Sequence, residues 1–242
     1  MKNYNNYSRA NIQDLYFITL DKTKINKKKL ISILESGKVD INKQNFSIGA
    51  GLHILLSNLV IVEALTYDII KILLDYGIDI NIQNKKGETA LMWSTWNKNS
   101  DGLRIVELLI ENGADINILS NKGETALHWS INNSRGEGVL ITKKLIDSGI
   151  DLDIKNNQGD SSLIKLSKNL QDFTSYHGRI NKKIYKQLQY ILDSDSDWML
   201  RDNSNNTFID YLPEEIIGEI IEKYPEKYKE YQKVTKRYKF NL

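Results

Sequence analysis

The sequence predicts an all-α fold: a solenoid of stacked helix-turn-helix units in place of one globular core. Three observations predict it. A four-residue segment recurs as V-D-I-N at Val39–Asn42, I-D-I-N at Ile78–Asn81, A-D-I-N at Ala114–Asn117 and I-D-L-D at Ile150–Asp153, with Asp40, Asp79, Asp115 and Asp151 spaced 39, 36 and 36 residues apart. Self-similarity at that period means supersecondary units that bury their apolar faces against one another. Each segment follows a helix stop, namely Leu34-Glu35-Ser36-Gly37, Leu74-Asp75-Tyr76-Gly77, Ile110-Glu111-Asn112-Gly113 and the run ending at Gly149. Glycine suits the left-handed residue just past a helix end. A shared opening, Gly87-Glu88-Thr89-Ala90-Leu91 and Gly123-Glu124-Thr125-Ala126-Leu127, then starts the next helix pair.

Taken in order, residues 1–38 read as an N-terminal capping helix pair, with helices at Asn11–Leu20 and Lys27–Ser36 and no Gly-x-Thr opening. Four repeats follow, at 39–77, 78–113, 114–149 and 150–195. The third is the clearest. Thr125 is placed to cap a helix beginning at Ala126. A loop from Asn132 to Gly138 leads to a second helix with apolar residues at Val139, Leu140, Leu145 and Ile146, and Gly149 ends it. Residues 196–225 form a degenerate C-terminal cap: Ser196-Asp197-Trp198-Met199 stands in the loop position, Asn206-Thr207-Phe208-Ile209 matches the helix opening poorly, and Glu214–Tyr224 supplies the last helix. Residues 226–242 are a basic and aromatic tail.

These motifs resemble the ankyrin repeat over roughly residues 27–224, with Ala90 and Ala126 where that family's G-x-T-P-L opening has proline. The family period is about 33 residues; here the extra residues fall between the two helices of a unit, at Asn97–Gly102, Asn132–Gly138 and, largest, Asn169–Lys182. The resemblance implies antiparallel helix pairs with short β-hairpin fingers at Asp40, Asp79, Asp115 and Asp151. It also implies a non-enzymatic protein-protein interaction module, an inhibitor or an adaptor. Its variable positions give the candidate partner-binding residues: Gln83, Lys85, Lys86 and Glu88 in one unit, Leu119, Asn121, Lys122 and Glu124 in the next, and Trp96 toward the concave end of a first helix. Leu119 is an apolar residue at a finger tip, where folding has no use for it. His53 and His128 match the family's histidine that bonds backbone between units.

Composition narrows the remaining classes. With 33 Lys+Arg against 31 Asp+Glu, the net charge of +2 argues against a dedicated polyanion binder. Cysteine is absent, which excludes disulfides, cysteine metal sites and cysteine nucleophiles and fits a reducing cytosol. Met1–Asp14 has no apolar secretory core, and no apolar run approaches the roughly 18 residues of a membrane span. There is no phosphate loop, Gly-x-Ser-x-Gly or nucleotide fingerprint. No catalytic residue, metal ligand or cofactor is therefore expected. Asp193, Asp195 and Asp197 resemble the start of a calcium loop, but Trp198 and Ser204 stand where its glycine and glutamate belong.

Two alternatives stay open. Leu212-Pro213-Glu214-Glu215-Ile216-Ile217 looks like the opening of an F-box, a ubiquitin-ligase adaptor element, or else Pro213 simply starts the second helix of the cap. The tail, with Lys227, Lys229, Lys233, Lys236, Arg237 and Lys239 among Tyr228, Tyr231, Tyr238 and Phe240, reads either as a nucleic-acid contact or as a terminal helix resting on the cap. Trp93 and Trp129 are equivalent and read as packing between units. His177 falls in the largest insertion with Phe173, Tyr176 and Arg179, and reads as a surface residue.

Overall fold

The computed structural model describes residues 27–36, 66–96, 101–133 and 137–239. The loop at Val39–Asn42, the stop at Gly37, His53 and the segment Asn11–Leu20 lie outside them. The chain divides into two compact units, residues 1–144 and 145–242.

Unit one holds helices α1 (Lys27–Glu35), α2 (Thr66–Asp75), α3 (Ala90–Thr95), α4 (Gly102–Glu111) and α5 (Ala126–Ile131). Helix α6 (Gly138–Asp147) begins in unit one and ends in unit two. Helix α3 packs on both α4 and α5, and α2 packs on α4. Leu73, Leu91, Ile105, Leu109, Leu127 and Ile141 are fully buried between these helices. Each such side chain contributes about 1.5–3 kcal/mol. The stops behave as the glycines require. Gly77, Gly113 and Gly149 have φ of 77°, 88° and 83°. In all three, the glycine N–H and the one after it return to carbonyls of the last turn, for example Gly113 to Ile110 at 3.0 Å and Ala114 to Leu109 at 3.0 Å.

Unit two carries α7 (Ser162–His177), α8 (Lys182–Leu192), a 3-10 turn (Phe208–Tyr211), α9 (Glu214–Lys223) and α10 (Pro225–Lys239). Helix α7 packs on α8 and on the 3-10 turn, while α9 packs on α10. Leu163, Leu166, Leu170, Leu188, Ile191, Phe208 and Ile216 form its core.

Two expectations are corrected. No strand occurs among the described residues, so the fingers at Asp79, Asp115 and Asp151 are not β-hairpins. Their polar groups bond instead to side chains and to the neighbouring loop, which leaves no ladder to build. The Asn169–Lys182 insertion is not a loop either: α7 runs on through His177 and only 178–181 connect it to α8. Nothing in Asn169–His177 breaks a helix, and termination waits for Gly178, at φ 63° with its N–H on Thr174 O at 2.8 Å.

Residues 226–239 of the tail lie in α10, which is tied to the cap where Tyr231 is buried and its hydroxyl meets Thr207 Oγ1 at 2.8 Å. Pro213 is the N-cap of α9, with Leu212, Ile216 and Ile220 buried. The residues an F-box reading would offer to a partner are thus used in packing.

Candidate functional site

The loops that carry the candidate residues are built on a rule the sequence reading missed. In four successive loops one small polar side chain accepts two backbone N–H groups. Asn84 Oδ1 takes Lys86 N and Glu88 N at 2.8 and 3.0 Å. Ser120 Oγ takes Lys122 N and Glu124 N, both at 3.2 Å. Asn156 Oδ1 takes Gln158 N and Asp160 N, and Asp202 Oδ1 takes Ser204 N and Asn206 N, at 2.9 to 3.0 Å. Such side chains mimic a backbone turn. Three residues on stands Gly87, Gly123 or Gly159, each at positive φ, and in the last loop Asn205 at φ 65°. Asparagine is among the few other residues that tolerate that region. The final repeat, degenerate by its letters, therefore keeps the geometry. The signal was present as a polar residue three positions before each glycine.

The recurrent Asp-x-Asn segment is a lock. Asp79, Asp115, Asp151 and Asp197 each accept the N–H two residues on, at 2.7 to 3.0 Å. The second polar residue reaches the next repeat: Asp115 N donates to Asn81 Oδ1 at 2.8 Å, and Asp197 N to Asp153 Oδ1 at 2.9 Å. Asn121 N donates to Lys86 O at 2.8 Å and its Nδ2 to Lys85 O at 2.9 Å, while Gln83 Nε2 donates to Gly87 O at 2.7 Å and to Leu119 O at 2.9 Å.

The predicted set therefore divides. Gln83 and Asn121 bond loop to loop. Glu88, only 8% exposed, accepts Asn84 Nδ2 at 2.8 Å and belongs to the loop interior. Glu124 is half-buried, whereas Lys85, Lys86 and Lys122 are exposed. Leu119 is 44% exposed and Trp96 37% exposed. Trp96 caps the C-terminus of α3 and rests edge-on against Trp93 at 6.4 Å; Trp93 meets Trp129 edge-on at 5.4 Å. Trp96 is the outermost member of that three-ring series.

His128 is fully buried and closes the capping box of its own helix, its Nδ1 lying 3.3 Å from Thr125 N and 3.0 Å from Thr125 Oγ1. Thr89, Ser161 and Thr207 hold the same cap position. Glu137 Oε2 accepts Leu103 N at 2.8 Å, so the loop after α5 caps α4. Asp193, Asp195 and Asp197 do not converge: Asp193 is engaged by Lys223 at 3.0 Å and by the Tyr224 hydroxyl, and Asp197 by Met199 N. Among the described residues no group of three His, Asp or Glu side chains is placed to hold a metal.

Unit two contains an ion cluster absent from the sequence reading. Lys168 Nζ lies 2.7 Å from Asp160 Oδ1 and 2.8 Å from Asp202 Oδ2, and 4.7 Å from the centre of the Tyr211 ring. Tyr211 Oη donates to Asp202 Oδ2 at 2.5 Å. Burial alone would raise the Asp202 pKa. The bonds from Lys168, Tyr211 and the N–H groups of Asn206 and Ser204 outweigh it and hold it down at about 2. Burial likewise opposes the charge of Lys168, but its two carboxylates prevail and raise its pKa above the usual lysine range. The cluster pins two adjacent loops to α7 and is structural.

Stacked helix pairs with glycine-stopped helices and Asx-locked loops define a helical-repeat protein. The family model for ankyrin repeats matches three times, over residues 28–120, 56–156 and 98–174, and the chain belongs to the ankyrin repeat family. Among solved structures it is similar to the ankyrin repeat protein EF0377, with a TM-score of 0.65 and 20% identity, covering 83% of this chain and 90% of that one. No curated protein matches it. Ankyrin repeats are in general protein-interaction modules and are typically non-enzymatic. No described helix is long and apolar enough to cross a membrane.

Proposed function

We propose that the protein is a non-enzymatic binding module that grips a partner protein through unit one, as an inhibitor or an adaptor. Trp96 and Leu119 are the anchors, and Lys85, Lys86 and Lys122, exposed on the loops, supply polar contacts. The observation that supports this is two exposed apolar side chains, each on a fixed support. The Leu119 carbonyl is bonded to Gln83, and Trp96 is braced by Trp93. A pre-organised apolar anchor loses little freedom on binding, which is the condition for a strong contact. The absence of cysteine from all 242 residues supports work in a reducing cytosol.

The test is a paired measurement. The partner is purified on tagged protein, and its affinity for the Trp96→Ala, Leu119→Ala double variant is compared with that of the unaltered chain by calorimetry. Binding should fall by about 2 kcal/mol or more, with the melting temperature nearly unchanged. Normal binding by a folded double variant would refute the proposal. Unfolding would assign both side chains to the core.

A further inference from the structure

The prolonged end of α7 buries little. Its counterparts α3 and α5 have 6 residues each, and α7 has 16. Leu170 is its last buried residue; beyond it every side chain is half-buried or exposed. At the tip the rings of Phe173 and His177 stack at 4.0 Å, Tyr176 meets His177 edge-on at 4.8 Å, and Tyr176 is 86% exposed. A large aromatic in that position gains nothing from burial.

The charge at this corner is equally uneconomical. Between Asp172 and Asp193 the chain carries Arg179, Lys182, Lys183 and Lys186 and no Asp or Glu, although the whole protein has a net charge of only +2. All four cations are exposed, and no acidic side chain among the described residues pairs with Arg179, Lys182 or Lys183. Asn181 caps α8 through Lys183 N and Ile184 N, so Lys182 and Lys183 occupy its first turn. A cation there opposes the positive end of the helix dipole, and an incoming anion would relieve both charges at once.

We propose that this corner of unit two is a docking surface for an acidic segment of a protein, with Tyr176 as its one aromatic anchor. Charge complementarity selects the occupant. A single-stranded nucleic acid would need several free ring faces along a groove. Here the Phe173 face is covered by His177, which leaves one prominent ring. The proposal uses none of the residues assigned to unit one and stands apart from that reading.

Fluorescence anisotropy on the full chain tests it. One probe is a labelled peptide of about a dozen Glu and Asp residues around a central Leu, and the other a labelled oligothymidylate of similar length. The peptide should bind, more weakly as salt rises. Arg179→Glu, Lys182→Glu, Lys183→Glu together should weaken it about tenfold or more, and Tyr176→Ala about threefold. A Lys229→Glu, Lys233→Glu control on α10 should leave it unchanged. The charge reversal should hold or raise the melting temperature, because acids suit a helix N-terminus. No binding of the peptide, binding indifferent to the reversal, equal loss in the α10 control, or tighter binding of the oligothymidylate through the same residues would each overturn the proposal. If the reversal lowers the melting temperature, the alanine triple variant replaces it with the same expected loss.

Discussion

Glu88 in unit one and Asp160 in unit two follow the same glycine of their repeats, and both are buried, yet they are satisfied differently. Glu88 takes a neutral amide from Asn84, and Asp160 takes the ammonium of Lys168. Eight residues after each acid stand Trp96 and Lys168, at equivalent sequence positions. Helix α3 has ended by then, so Trp96 faces outward. Helix α7 continues, so Lys168 is carried back over the acid and over Asp202. The length of the first helix thus decides whether one repeat position serves the surface or the interior.

Removing the cation should separate the units most sharply. Lys168→Met leaves two buried carboxylates without their counter-charge. It should cost unit two about 2–4 kcal/mol, below the most severe cases because the lysine keeps some of its surface in water. Amide hydrogen exchange over residues 145–239 would show it, with unit one unchanged. A uniform loss across both units would mean they do not respond separately.

Loop glycines come next. A Cβ at Gly159 would meet Asn203 Oδ1 at 2.4 Å and Asn203 N at 2.6 Å, and at Gly87 it would meet Asn121 N at 2.7 Å, whereas Gly113 has nothing within 4 Å. Gly159→Ala should cost about 2–3 kcal/mol, while Gly113→Val, strained only by its positive φ, should fall toward the lower end of about 1–3 kcal/mol. Equal melting temperatures for the two would show that the loops yield more easily than their bonds imply.

Acid should weaken unit two first. The Asp202 pKa is depressed, so its contribution is complete above the usual aspartate value and is lost as pH falls toward about 2. Lys168 has a raised pKa and loses its contribution only in alkali. Between pH 4 and 2 the loss should be on the order of 2 kcal/mol. Asp202→Asn should flatten that dependence. The smallest effect is Leu119→Ala, under about 0.5 kcal/mol in folding free energy, because the side chain is half in water and only its backbone is bonded.

The fold was legible because its signals are local and repeated: the glycine stops, the threonine caps and the Asp-x-Asn segment each act within a few residues. What escaped depended on partners far along the chain. Lys168 finds Asp202 across 34 residues, and Glu137 caps a helix begun 35 residues earlier. No spacing rule announces either. The α7 extension was misjudged for the opposite reason. Length in excess of the repeat was assigned to a loop, although Asn169–His177 contains no residue that ends a helix. Of the candidate residues, the exposure of Trp96 and Leu119 was legible from their position, but the inward role of Glu88 and the loop-bridging roles of Gln83 and Asn121 depend on bonds that no pattern announces.

The locks also bear on how such a chain can change length over generations. Asn81 holds the N–H of Asp115, and Asp153 that of Asp197, so each clasp needs only the loop that follows it. Duplicating or deleting one whole unit restores a complete clasp on either side, whereas a partial insertion at the clasp would break it. Surplus residues are therefore tolerated only at the far end of a unit, between its paired helices. The extra residues at 97–102, 132–138 and 169–182 all lie there, and the last has become a prolonged helix.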